Sequence, residues 1–89
     1  MKTTMELLDA ALAERDTSAR ALSIHLGHSP WTLNRARERE TLSPLIAGQI
    51  AQMLELDIEH WMAVASLESE PSSRLVSKLR SAIEHVRNS

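Results

Sequence analysis

The sequence predicts an all-α protein, with five helices in a small domain and a sixth amphipathic helix at the C-terminus. Leu, Ala, Glu and Arg, all good helix formers, dominate its 89 residues. Two glycines and three prolines leave few turn signals. Apolar residues recur at helical spacing behind residues that typically cap helices. Aromatic residues make up only 2% of the chain, so the core must be aliphatic.

The first helix is predicted over residues 4–15. Thr3 and Glu6 have the spacing of a capping box, in which hydroxyl and carboxylate each accept a hydrogen bond from the other residue's N–H group. The inward stripe of this helix is predicted to contain Met5, Leu7, Leu8, Ala11 and Leu12.

The second and third helices are predicted over residues 18–26 and 30–39. Asp16, Thr17 and Ser18 are candidate caps for the second helix, and Gly27 ends it because glycine readily adopts a left-handed conformation. Ser29 is a candidate cap for the third helix, with Pro30 at its first position. The predicted inner residues are Ala19, Ala21, Leu22 and Leu26 in the second helix, and Leu33 and Ala36 in the third.

The fourth helix is predicted over residues 44–55 and the fifth after Asp57. Ser43-Pro44 repeats the cap-then-proline start, and Leu56 and Trp61 have the spacing of a hydrophobic staple around Asp57. Predicted inner residues are Leu45, Ile46, Ala47, Ile50, Ala51, Met53 and Leu54, followed by Ile58, Trp61, Met62 and Ala65.

A polar stretch from Glu68 to Ser73 predicts a linker or a turn. We therefore expect a domain over residues 1–68, followed by a segment over residues 69–89. The sixth helix is predicted over 73–87. Its apolar stripe either folds back on its own domain or pairs with a second copy. Residues 4–66 can already close a core, so we favour a homodimer. The predicted dimer interface contains Leu75, Leu79, Ile83 and Val86.

Composition excludes several classes of protein. The chain has no cysteine, which excludes disulfides and thiol chemistry and argues against zinc. No stretch is apolar enough for a membrane span or a signal peptide, so we expect a cytoplasmic protein. The net charge is −2, and residues 45–73 contain five acids and no Lys or Arg. Nucleic acid could therefore bind only through a locally basic face.

No enzyme, cofactor or small-molecule site is predicted. The sequence contains no nucleophile–base pair and no glycine-rich phosphate loop. His25 and His28 are three residues apart, but no third metal ligand is evident, so we interpret them as surface or turn histidines.

The stretch Ala19–Arg39 predicts a helix-turn-helix. A short helix ends at Leu26-Gly27, a tight turn follows, and a second helix begins near Pro30. Ser23 is small enough for the second helix to cross the first, and Leu33 is placed to pack inward.

The runs Leu22-Ser-Ile-His-Leu-Gly27 and His28-Ser-Pro-Trp-Thr-Leu33 resemble the Cro and cI repressor family, which has the lambda-repressor-like (XRE-type) fold. Ser43-Pro44 and the run from Ile50 to Asp57 also resemble it, with Glu55 where glycine is common. The resemblance covers about residues 4–66. It implies a phage or prophage regulator. The sequence departs from the family pattern at three places. Ser23 replaces the usual alanine, and Ala36 replaces a larger aliphatic residue. The loop over residues 38–41 lacks the usual glycine and carries two acids.

The resemblance implies that helix 30–39 is a recognition helix in the DNA major groove. Its implied base-reading residues are Ser29, Pro30, Trp31, Thr32 and Arg35, and the implied phosphate contacts are Ser18, Arg20, Arg37 and Arg39. Arg35 is the best candidate for reading guanine, because its planar fork can donate two hydrogen bonds to the base edge. Alternatively, Trp31 packs half-buried against the second helix, and the arginines of the third helix only solvate its surface.

We therefore expect a transcriptional repressor that binds a palindromic DNA operator as a homodimer. Two alternatives stay open. One is a helix-turn-helix adaptor that binds a protein, similar to an antitoxin or anti-repressor. The other is a purely structural helical bundle.

Overall fold

Five α-helices follow one another in the computed structural model, which describes residues 1–69. They are α1 (Thr4–Arg15), α2 (Ala19–His25), α3 (Thr32–Arg39), α4 (Pro44–Met53) and α5 (Ile58–Glu68), and this part of the chain contains no strand. The all-α prediction is confirmed. None of these five helices has the length and apolar content that crossing a membrane requires. The predicted helix over 73–87, with its interface residues Leu75, Leu79, Ile83 and Val86, lies outside the described residues.

Side-chain caps begin four of the five helices. Ser18 accepts a hydrogen bond from the N–H of Ala21, Ser43 from Ile46, and Asp57 from His60, at donor–acceptor distances of 3.1–3.3 Å. At α1, Thr3 Oγ1 accepts from the Glu6 N–H as a capping box requires, at 3.2 Å. The Glu6 carboxylate instead accepts from the N–H of Lys2, one residue before the predicted donor.

The start of α3 differs from the prediction. The helix begins at Thr32, because Ser29, Pro30 and Trp31 form a turn in which the Thr32 N–H donates to the Ser29 carbonyl oxygen at 3.1 Å. Trp31 occupies the cap position without a side-chain hydrogen bond. The Ser29 hydroxyl bonds the Thr32 hydroxyl at 3.0 Å, so it caps no backbone N–H group. The prediction of Ser29 as cap and Pro30 as first helical residue was wrong.

Left-handed residues follow α1, α3 and α4, and Gly27 (φ +85°) turns the chain after α2 as predicted. The others are Asp16, Glu40 and Glu55, with φ between 49° and 60°. Glu55 therefore adopts the left-handed conformation in which glycine is the usual residue after a helix. Helix α4 stops at Met53, two residues earlier than predicted.

The core is aliphatic apart from one tryptophan, and every helix contributes to it. Helix α4 packs mainly on α5, α2 packs on α3, and α1 packs on α4 and α5. The buried apolar residues are Leu7, Leu8, Ala11, Leu22, Leu33, Ala36, Leu42, Ile46, Ala47, Ile50, Ala51, Trp61 and Ala65.

Four predicted inner residues lie at the surface. Leu45 is 61% exposed, Ile58 40% and Met62 38%, and Ala21 is also exposed. Helix α4 turns Ile46, Ala47 and Ile50 inward, and the neighbouring Leu45 falls outside that stripe because each helix buries only one face. Conversely Leu42, in the connection before α4, is fully buried although no helical pattern includes it.

Candidate nucleic-acid interface

Ser23 joins α2 to α3 through its buried hydroxyl. Its Oγ accepts a hydrogen bond from the Leu33 N–H at 3.1 Å and donates to the Ala19 carbonyl oxygen at 2.7 Å. The Ser23 carbonyl oxygen also accepts from the N–H of His28 in the connecting turn, at 3.0 Å. Since Trp31 supplies no side-chain cap, a residue of the preceding helix satisfies a first-turn N–H group of α3. From the sequence only the small size of Ser23 was predicted to matter.

Replacing Ser23 with alanine is expected to lower the free energy of unfolding by about 1–3 kcal/mol, because the Leu33 N–H would lose its partner in a buried position. Urea denaturation followed by circular dichroism measures this change. Ser66→Ala, an exposed site on α5, is the matched control, with an expected change within about 0.5 kcal/mol. Equal effects of the two substitutions would show that the bond contributes nothing.

Helix α3 has one buried face and one exposed face. Leu33 and Ala36 are fully buried, whereas Asn34, Arg35 and Glu38 are exposed. The Arg35 guanidinium forms no ion pair or hydrogen bond with any residue of the described part. Residues 1–69 therefore neither bind its donors nor cover the face of α3 that carries it.

The other four predicted base-reading residues form one continuous stretch from Ser29 to Thr32. Ser29 is exposed, Pro30 and Thr32 are half-buried, and the Trp31 side chain is 53% exposed. The Arg20 guanidinium carbon on α2 lies 5.4 Å from the Trp31 ring centroid, within the range of a cation–π contact. Trp31 thus contacts α2 through Arg20 but keeps about half of its surface in solvent.

The four residues predicted to contact phosphate differ in the partners that they already have within the protein. The Ser18 hydroxyl caps α2, and Arg20 lies over Trp31. Arg37 on α3 forms an exposed ion pair with Asp9 on α1 at 2.9 Å. Arg39 is exposed at the end of α3. An exposed pair contributes little to stability, so Arg37 can exchange Asp9 for a phosphate at small cost.

A hydrogen-bond cluster around Glu68, which sequence reasoning missed, joins three distant parts of the chain. Its carboxylate accepts from the Thr4 N–H at 2.9 Å, from the Thr4 hydroxyl and from the Thr41 hydroxyl at 3.0 Å. Thr4 Oγ1 in turn accepts from the Leu42 N–H at 3.1 Å. Glu68 is the last residue of α5 and not the start of a linker. The partners lie 27 and 64 residues away, so no local pattern could reveal them.

His28 links the α2–α3 connection to α4. Its Nε2 lies 2.7 Å from Gln49 Oε1, and Gln49 Nε2 donates to the Leu26 carbonyl oxygen at 3.2 Å. His28 is therefore a half-buried turn histidine with a structural partner. Within residues 1–69, no cluster of three His, Asp or Glu side chains could hold a metal ion.

Comparisons with protein-family models, with curated proteins and with solved structures found no match for this chain. The resemblance to the Cro and cI family thus remains an expectation that depends on the residues quoted for it.

Proposed function

We propose that the protein is a cytoplasmic, sequence-specific DNA-binding regulator, a phage-type repressor that binds a palindromic operator as a homodimer. The single observation that carries this proposal is the two-faced α3. Leu33 and Ala36 seat the helix in the core, while Arg35 extends from its exposed face with no partner among residues 1–69. An exposed arginine beside an exposed Trp31 suits a groove lined with base edges.

In this proposal α2 and α3 act as a helix-turn-helix, and the start of α3 enters the major groove. Arg35 donates two hydrogen bonds to a guanine edge. Thr32 and Ser29, whose hydroxyls already bond each other, offer a polar edge to a base. Pro30 and Trp31 provide apolar contacts, for which the methyl group of thymine is the suitable partner.

Backbone contacts fix the position of α3 without reading sequence. Ser18, Arg20, Arg37 and Arg39 are the proposed phosphate ligands. The three arginines among these ligands give each chain only a modest electrostatic attraction to DNA, because the net charge of the chain is −2. A dimer doubles these contacts, which is the physical advantage of a palindromic site.

We propose that the homodimer forms through the apolar stripe of Leu75, Leu79, Ile83 and Val86, which lies outside the described residues. Two copies would place their recognition helices about one turn of DNA apart. We expect mass measurement in solution to give twice the mass of one chain. A monomeric mass at high protein concentration would contradict the dimer.

Selection of bound sequences from a random duplex pool tests the DNA-binding proposal. We expect one enriched motif, bound with an affinity that falls steeply with salt. Arg35→Ala should weaken binding to that motif by about 5- to 150-fold and remove the preference for guanine at one position in each half-site. Arg15→Ala, an equal loss of charge at the exposed end of α1, is the matched control and should keep the sequence preference.

Two outcomes would redirect the proposal. If wild-type protein enriches no sequence, sequence-specific DNA binding is refuted. If a protein partner binds the same face and Arg35→Ala disrupts that complex, the adaptor function is favoured instead.

A further inference from the structure

Trp31 is an unusual residue for its position at the start of α3. Helix caps are usually small polar residues, yet Trp31 makes no capping hydrogen bond and exposes 53% of a large apolar side chain. Trp61, by contrast, is 5% exposed in the core. Tryptophan held at a surface is typical of a contact site, because it combines a large apolar area with few rotatable bonds.

Arg20 holds this exposed ring from α2. Its guanidinium carbon is 5.4 Å from the indole centroid, and Arg20 forms no ion pair with a carboxylate of residues 1–69. The contact joins the first turn of α2 to the residue that precedes α3, through two side chains that are both exposed.

A guanidinium can use its face and its edge for different partners. Its planar face stacks on an aromatic ring, while its N–H donors point outward in the plane and can bind a phosphate through two hydrogen bonds. A lysine ammonium has no such plane. The same Arg20 side chain can therefore bind the DNA backbone and orient Trp31.

We infer that Arg20 is a positioning residue for Trp31, and that the pair recognises the 5-methyl group of a thymine next to the phosphate that Arg20 binds. The inference rests on the proposed DNA-binding function and deepens it. An indole is apolar apart from one N–H donor, so the half-exposed ring suits a methyl group in the major groove better than a polar base edge.

The first test uses free protein and no DNA. In the nuclear magnetic resonance spectrum, the indole ring current should shift the Arg20 side-chain protons upfield. Trp31→Ala should return them to ordinary values, whereas Trp61→Phe should not. Ordinary Arg20 shifts in the wild-type protein would overturn the inference whatever the protein binds.

The second test replaces thymine by deoxyuridine, one position at a time, in the duplex enriched by selection. Loss of one buried methyl group should weaken wild-type binding about fourfold at one position in each half-site. The thymine-to-uracil ratio is the affinity for the thymine duplex divided by the affinity for the duplex with deoxyuridine at that position. Trp31→Ala should bring this thymine-to-uracil ratio close to one. Arg20→Lys should do the same while leaving the salt dependence of binding nearly unchanged, because the positive charge remains.

Arg39→Lys is the matched control, since it makes the same exchange at a proposed phosphate ligand remote in sequence from the indole. Its affinity can fall, but its thymine-to-uracil ratio should equal that of the wild type. If wild-type protein binds its selected duplex and Arg20→Lys keeps the full ratio, the inference alone is overturned. If the wild type binds no duplex, the proposed function falls and the inference falls with it.

Discussion

Replacing Leu33 with alanine is expected to lower the free energy of unfolding by about 2–5 kcal/mol. Leu33 is fully buried, so its replacement with alanine leaves a cavity, and the hydrogen bond from its N–H to Ser23 holds its own backbone in place. A small domain has only about 5–15 kcal/mol of total stability, so this substitution removes a large share of it. Urea denaturation followed by circular dichroism gives the change directly.

Leu45→Ala is the matched control, because it removes the same atoms from a helix position that also looks apolar in the sequence. Leu45 is 61% exposed, and its replacement should change the free energy of unfolding by no more than about 0.5 kcal/mol. Comparable losses in the two variants would mean that α3 is not seated as described. If Leu33→Ala is too unstable to isolate, Leu33→Val should show the same direction with a smaller loss.

Glu68→Ala should destabilise the protein by about 2–4 kcal/mol, because hydrogen bonds to a charged group contribute more than neutral ones. The substitution removes the acceptor for the Thr4 N–H, the Thr4 hydroxyl and the Thr41 hydroxyl, and Thr4 is fully buried. Thermal unfolding measures the effect, with roughly 4–8 °C in Tm for each kcal/mol in a domain of this size.

Glu59→Ala, at an exposed position in the first turn of the same helix, is the control for Glu68→Ala. Glu59→Ala should lower the free energy of unfolding by no more than about 1 kcal/mol, the usual contribution of an acidic residue in the first turn of a helix. Glu68→Gln keeps one carbonyl acceptor and should fall between alanine and wild type. A Tm for Glu68→Ala that equals the Glu59→Ala value would show that the cluster does not stabilise the fold.

The Glu68 cluster also bears on the candidate interface. It ties the end of α5 to the start of α1 and to the connection between α3 and α4, close in sequence to Arg39. A destabilised cluster should therefore disturb one end of α3, and DNA-binding assays of Glu68 variants are best made well below their unfolding temperature.

Helix boundaries were predicted well where the capping partners are neighbours in the chain. Ser18, Ser43 and Asp57 each bind an N–H three residues ahead, and Gly27 takes the left-handed conformation that ends α2. The start of α3 was wrong for the opposite reason. Its first-turn Leu33 N–H is capped by Ser23, ten residues away, so Ser29 has no capping role and the chain turns once more before the helix begins.

Burial was only partly predictable from periodicity. The pattern in α4 and α5 correctly includes Ile46, Ile50 and Trp61, but it also includes Leu45 and Met62, which are exposed. Periodicity gives the apolar side of a helix, whereas the width of the buried stripe depends on how the neighbouring helix crosses it.

By itself, the sequence determined the helical class, the caps at α4 and α5 and the turn at Gly27, because all of these depend on interactions within a few residues. It left three candidate caps for α2, of which the structure uses Ser18. Only the tertiary structure decided which apolar residues stay in water. It also decided the partners of Glu68, the pairing of Arg37 with Asp9 and the position of Arg20 over the Trp31 ring. These contacts join residues 11–64 positions apart, and their partners are selected by how the helices pack.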